Sequence, residues 1–169
     1  FIRVPHKTAV IFNDTAVSYH LLDIESNQFA NQFLAYRVKP GDVIAVILSR
    51  DLSLIYTLVA IVKLGCTVLP IDPDYPEQRI NEILLNAKPH LIVTKKIFSK
   101  KITGNVNKSL YIDLCQSEID AQSEKLPDFK VSNLTPAYIL FTSGSTGKPK
   151  GVVIGYAALL NFLHSARKL

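Results

Sequence analysis

Apolar and polar positions along the chain fall into two kinds of segment. Short aliphatic and β-branched runs predict strands, and longer segments with apolar residues three and four apart predict helices. The predicted strands are 9–12, 16–19, 43–48, 67–71, 91–94, 110–112, 139–141 and 152–154. The predicted helices are 20–35, 52–64, 77–86 and 157–166. From residue 43 onward strand and helix alternate, which predicts an α/β fold with a parallel sheet and flanking helices on both faces.

The domain organisation follows from the length and the connections. With 169 residues, 48% of them apolar, the chain is long enough to bury a core. Residues 116–129 are polar and mixed in charge, so we interpret them as a surface connection. We find no repeat and no linker, and we expect residues 1–169 to be part of one domain of a longer protein, with no second complete domain.

Composition excludes several classes of function. The most apolar segment, 52–64, is shorter than the ~20 residues that a membrane-spanning helix needs, so we expect a buried helix. The net charge of +5 is concentrated in a run of lysines that we interpret as a solvated loop, and we expect no nucleic-acid partner. These lysines are Lys95, Lys96, Lys100, Lys101 and Lys108. Cys66 and Cys115 lie in apolar contexts, which favours core packing and a cytoplasmic location.

The segment from Thr142 to Gly151 carries the most chemistry. Its glycines let backbone N–H groups approach an anion closely, its hydroxyls add donors, and Lys148 and Lys150 supply positive charge. A Walker A loop is excluded, because Thr142 stands where its first glycine should be and Pro149 follows the lysine. The pattern predicts a loop that binds polyphosphate at the end of a strand. A merely flexible Ser/Thr/Gly loop is the alternative, and the strand and lysines beside it make that less favoured.

The same ten residues resemble the signature loop of adenylate-forming ligases, the superfamily of acyl-CoA synthetases, luciferase and nonribosomal peptide synthetase adenylation domains. Residues 58–80, with their Leu69-Pro-Ile-Asp-Pro73 turn, are similar to the second core motif of peptide synthetase adenylation domains. Residues 17–22 resemble the first core motif, although His20-Leu21 departs from it. The resemblance implies the N-terminal portion of the large lobe of such an enzyme.

What this resemblance implies is a two-step ligase. A carboxylate, an amino acid by the second motif, attacks the α-phosphate of ATP to give acyl-AMP and pyrophosphate. A phosphopantetheine thiol of a carrier protein domain then takes the acyl group. The implied phosphate-binding residues are Thr142, Ser143, Gly144, Ser145, Thr146, Gly147 and Lys150. Lys150 is the implied catalytic residue, and the ligands of Mg²⁺ are expected downstream, in the remainder of the adenylation domain.

Several alternatives stay open. Asp72 and Asp74 could hold a metal, but the prolines around them favour a turn that caps the next helix. The four histidines are scattered, so no metal site is expected. Tyr156 stands where family members often have a histidine. An acyl-CoA or aryl-acid synthetase fragment and a degenerate, non-catalytic interaction module remain as alternative functions, and we expect the isolated chain to be inactive.

Overall fold

The computed structural model describes residues 4–103, 108–126, 132, 135–143 and 149–166. The strands are β1 (Thr8–Phe12), β2 (Thr15–Ser18), β3 (Val43–Ile47), β4 (Thr67–Pro70), β5 (Leu91–Thr94), β6 (Ser109–Tyr111), β7 (Pro136–Ser143) and β8 (Pro149–Gly155). The helices are α1 (Tyr19–Ala35), α2 (Leu52–Lys63), α3 (Glu77–Ala87), α4 (Gln116–Asp120) and α5 (Tyr156–Ala166), with a 3-10 helix over Lys96–Lys101. The predicted α/β fold is confirmed, and the predicted strands and helices occur in the predicted order, whereas α4 and the 3-10 helix were not predicted.

The main sheet has six strands in the order β6-β5-β3-β4-β7-β8. Its first five strands are parallel, and β8 runs antiparallel to β7. A parallel pair needs a crossover, whereas an antiparallel pair closes with a short connection, and only five residues separate β7 from β8. The predicted phosphate loop is therefore the connection of an edge hairpin. β1 and β2 form a separate small hairpin, as predicted, with Asn13 at positive φ in its turn.

Successive residues of the buried strands point to opposite faces of the sheet, and each face has its own core. Ile44 and Val46 of β3 pack with α1 and α2, while Ala45 and Ile47 pack with α3. Helix α2 begins at the N-cap Asp51, whose carboxylate accepts the N–H of Leu54 at 3.2 Å. Helices that follow neighbouring strands β3 and β4 thus lie on opposite faces.

Residues 116–126, predicted as a surface connection, contain α4 and then lie along α1. Side-chain amides of α1 donate to backbone carbonyls of this segment: Asn27 to Glu124 at 2.7 Å and Gln28 to Asp120 at 2.8 Å. Both amides are at least nine-tenths buried, so the hydrogen bonds replace water that packing excludes. This row of amides explains why polar residues occupy a buried face of α1.

Candidate functional site

The predicted phosphate loop connects β7 and β8 at the edge of the sheet where the parallel strands end. Val68 of β4 is level with Tyr138 of β7, and β7 continues five residues further to Ser143. The β7–β8 hairpin therefore extends beyond the end of β4. Thr142 and Lys150 are direct cross-strand partners near its tip. Residues paired in this way have Cβ atoms about 4.5–5.5 Å apart on one face.

Alternation along β7 identifies the face to which these two side chains project. Ile139 and Phe141 pack against the α3 core, and Tyr138 packs against the α1–α2 core. Thr142 is an even number of residues from Tyr138, so it projects to the α1–α2 side. Lys150, its partner, shares that face, and both residues are exposed. The hairpin thus presents a hydroxyl and an ammonium group side by side.

The structure places part of the predicted phosphate-binding set. Ser143 ends β7, while Gly144, Ser145, Thr146 and Gly147 lie outside the described residues. The prediction of a short buried strand over 139–141 is wrong in two respects. β7 spans eight residues, and the side chain of Leu140 is 45% exposed although Ile139 and Phe141 on either side of it pack against the core.

A cleft of about 480 Å³ lies beside the hairpin, at the carboxyl ends of β3 and β4. One wall is the β3–α2 connection with Ser49 and Arg50, the other is the β4–α3 turn over 71–74, and Leu140 of β7 also lines it. Because α2 and α3 leave to opposite faces, this is a topological switch point, where open α/β sheets bind their ligands. Sequence reasoning missed this cleft, although the polar residues after two neighbouring parallel strands could have indicated it.

The turn over 71–74 corrects the prediction for its two aspartates. Neither caps α3, whose N-cap is Pro76 without a side-chain hydrogen bond. Asp72 instead accepts the N–H of Asp74 at 2.9 Å, which closes a local turn. Among the described residues, no group of three or more His, Cys, Asp or Glu is placed to hold a metal ion. The aspartates shape one wall of the cleft.

Gly151 of β8 lies close to side chains of β7. A Cβ at this position would lie 3.2 Å from both Ile139 Cγ2 and the ring of Phe141, its cross-strand partner. The ring of Phe141 therefore covers the glycine backbone, an arrangement that stabilises glycine in a strand. This packing supports the hairpin immediately next to Lys150.

Tyr156 follows β8 at the opposite end of that strand from Lys150. Its hydroxyl donates to the carbonyl of Cys66 at 3.0 Å, and its side chain is only 6% exposed. Burial, together with the nearby Cys66 thiol, raises the pKa of Tyr156 to about 12. Six residues of strand place it about 20 Å from Lys150 at ~3.4 Å per residue. Tyr156 is thus a structural residue that joins the start of α5 to the start of β4.

The sequence and the fold together match a known family. The model of the AMP-binding enzyme family matches residues 3–168. The chain belongs to the AMP-binding enzyme family. It is similar to bacitracin synthase 2 of Bacillus licheniformis, with 34% identity over 98% of the chain. The chain spans only 6% of the length of that synthase.

Solved structures similar to this chain have the same fold. The N-terminal subdomain of NpsA from Klebsiella oxytoca superposes with a TM-score of 0.79 at 28% identity, covering 91% of this chain and 39% of that one. An artificially fused adenylation-PCP di-domain protein, NpsA-ThdA, gives 0.80 at the same identity, covering 91% and 30%. The peptide synthetase FmoA3, solved with AMPPNP bound, gives 0.85 at 23% identity, covering 98% and 17%. The chain corresponds to the N-terminal part of an adenylation domain.

The two cysteines of the chain lie in the core. Cys66 and Cys115 are both buried and free, as predicted. Burial, followed by the charge of Asp42, raises the pKa of the Cys66 thiol to about 12, so this thiol is unreactive at neutral pH. In the part of the chain that the structure describes, no helix is long and apolar enough to span a membrane.

Proposed function

We propose that this chain supplies the phosphate-binding hairpin of a ligase that activates an amino acid as acyl-AMP, for transfer to the phosphopantetheine thiol of a carrier domain. The observation that carries the proposal is the pairing of Thr142 with Lys150 at the exposed end of the hairpin. Lys150 would neutralise charge on the β- and γ-phosphates while the α-phosphate is attacked. Such electrostatic stabilisation is a large term in phosphate chemistry.

The residues present fit ATP. Polyphosphate needs exposed donors and cations that approach from one side, and the hairpin offers Lys150 beside Thr142 on the face that borders the cleft. Arg50, on the opposite wall of the cleft, is exposed and forms no ion pair with any described residue. ATP supplies the activated α-phosphate, and this chain holds and orients the departing pyrophosphate. The AMPPNP bound in FmoA3 supports the choice of nucleotide.

The apolar surface of α5 and β8 supports a contact with the remainder of the adenylation domain. Leu160, Phe162 and Leu163 of α5 are 53%, 68% and 52% exposed, and Val152 and Val153 of β8 are 47% and 56% exposed. Leu160 and Leu163 are three residues apart and so share a face of α5, and exposed apolar surface of this kind favours an interface. The chain also spans only 39% of the NpsA subdomain that it resembles. We propose that catalysis requires that further part, including its Mg²⁺ ligands, and that the isolated chain is inactive.

ATP–pyrophosphate exchange by the full-length protein tests the proposed function. The panel contains the standard amino acids, a set of fatty acids and a set of aryl acids. Exchange that depends on one amino acid supports the proposal and identifies the substrate. Exchange with fatty or aryl acids alone would indicate an acyl-CoA or aryl-acid synthetase. No exchange with any acid would contradict adenylation and favour a non-catalytic module.

A further inference from the structure

The lysine run after β5 contacts both walls of the cleft. The sequence interpretation of this run as a solvated loop is wrong in part, because residues 96–101 form a 3-10 helix and both Lys95 and Lys101 bind protein oxygens. Lys96 and Lys100 are exposed, as that interpretation predicts. We call residues 94–101 the bridging segment. It begins at Thr94, whose fully buried hydroxyl donates to the carbonyl of Ile47 at 3.0 Å, at the end of β3. The segment then runs across the carboxyl edge of the sheet.

Its first lysine holds the β3–α2 wall. Lys95 Nζ lies 2.5 Å from a carboxylate oxygen of Asp51, and the two side chains are 28% and 25% exposed. Asp51 is also the N-cap of α2, accepting from Ser53 Oγ and from the N–H of Leu54. Burial alone would raise the pKa of Asp51, but the hydrogen bonds from Lys95, Ser53 and Leu54 outweigh it and lower that pKa. Lys95 therefore fixes the end of the loop that carries Arg50.

Its last lysine holds the β4–α3 wall. Lys101 Nζ donates to the carbonyl of Pro73 at 2.6 Å and lies 3.4 Å from that of Tyr75. Asn81 of α3 anchors the backbone here, because its amide donates to the Lys101 carbonyl at 2.9 Å and its oxygen accepts the N–H of Thr103 at 2.8 Å. With its backbone fixed and its side chain half-buried, Lys101 joins α3 to the turn that lines the cleft.

We propose that Lys95 and Lys101 are positioning residues, which set the separation between the two walls of the cleft next to the phosphate hairpin. The proposal rests on the proposed function, because it concerns the geometry of that site. Neither lysine lines the cleft, and both ammonium groups bind protein oxygens of its walls or of the residue next to them. They act on Arg50 and on the 71–74 turn, and small displacements of groups that hold a substrate weaken its binding and lower kcat/KM.

Steady-state exchange kinetics of Lys101→Met in the full-length protein test the proposal. Methionine keeps most of the apolar stem and removes the ammonium group, so the turn loses both carbonyl contacts. We expect the KM for ATP to rise about tenfold with kcat changed by less than about threefold, in line with misplacement of a binding group. Lys101→Arg restores a donor and should recover most of the loss. Lys100→Ala, an exposed lysine on the same 3-10 helix, is the matched control and should leave KM unchanged.

Amide hydrogen exchange gives a second measurement on the same variants. Lys101→Met should accelerate exchange in residues 72–76, and Lys95→Met should accelerate it in residues 50–54, with the rest of the sheet unaffected. An active wild type whose KM is unchanged by both lysine variants would overturn this inference alone. A wild type without ATP–pyrophosphate exchange activity would overturn the proposed function instead. The amide hydrogen exchange rates would then still test the contacts that Lys95 and Lys101 make with the two walls. If Lys101→Met lowered the Tm but left the KM for ATP unchanged at temperatures below the unfolding transition, the lysine would have only a structural role and the inference would be overturned.

Discussion

Replacing Tyr156 with phenylalanine tests whether this residue is structural. The change removes only the hydroxyl that donates to the Cys66 carbonyl at 3.0 Å in a buried site. A buried hydrogen bond contributes about 1 kcal/mol net, and an acceptor left unpaired costs about 1–3 kcal/mol. We therefore expect the free energy of unfolding to fall by about 1–2 kcal/mol. For a chain of this size each kcal/mol lowers Tm by about 2–4 °C.

The pH dependence of that difference is a sharper test. The pKa of Tyr156 rises from 10.0 to about 12 on folding, mainly through burial. Below pH 10 both states are protonated, and between pH 10 and 12 only the unfolded state releases this proton. Stability is thus lost as pH rises through that window, at about 1.4 kcal/mol per pH unit. The advantage of the wild type over Tyr156→Phe, measured at pH 8, should therefore largely disappear at pH 11. The Cys66 thiol is present in both proteins, so its own titration cancels in this comparison.

Urea unfolding of the chain at pH 8 and at pH 11 measures both effects. Tyr19→Phe, which alters a side chain that is 45% exposed, is the matched control and should change stability by less than about 0.5 kcal/mol. In the full-length protein, Tyr156→Phe should leave ATP–pyrophosphate exchange within about twofold of wild type, because Tyr156 lies at the other end of β8 from Lys150. A tenfold loss of exchange in a variant of normal stability would refute this reasoning.

Two further substitutions test the packing around α1 and α2. Thr57 is fully buried and its hydroxyl has no hydrogen-bond partner among the described residues, so Thr57→Val should raise the free energy of unfolding by about 1–2 kcal/mol, measured with urea. Thr57→Ser, which keeps the hydroxyl and loses the methyl group, should lower it. Asn27→Ala removes the amide bonded to Glu124 and Lys63, so we expect a loss of about 2–3 kcal/mol and faster proteolysis within 120–126. Unchanged cleavage there would contradict the role of the amide row.

Local patterns were sufficient to predict most elements of the fold. The helix over 52–64 was predicted from its apolar spacing and the polar residues before it, and the structure confirms α2 over Leu52–Lys63. The strand 91–94 was predicted with its observed ends. The prediction of a strand's ends was less accurate where a pairing partner determines them. β7 is longer than predicted because β8 pairs with it as far as Ser143.

The contacts that organise the candidate site could not be predicted from local patterns. Lys95 and Asp51 are 44 residues apart, and Lys101 and Pro73 are 28 apart, so a run of lysines gave no sign of its partners. Tyr156 bonds to a carbonyl 90 residues away. The polar side chains of α1 meet backbone carbonyls, whose direction depends on the tertiary fold. The proposed phosphate hairpin could be predicted from the sequence, because the residues that would give it this chemistry lie within ten consecutive positions.

The rate of ATP–pyrophosphate exchange by Lys150→Ala in the full-length protein tests the central claim most directly. The variant is compared with wild type and with Lys100→Ala at saturating substrate. If Lys150 holds the departing phosphates, its loss should slow exchange by about 10²–10³-fold, while Lys100→Ala stays within about twofold. Equal exchange rates for Lys150→Ala and wild type would contradict the assignment of the β7–β8 hairpin as the phosphate site.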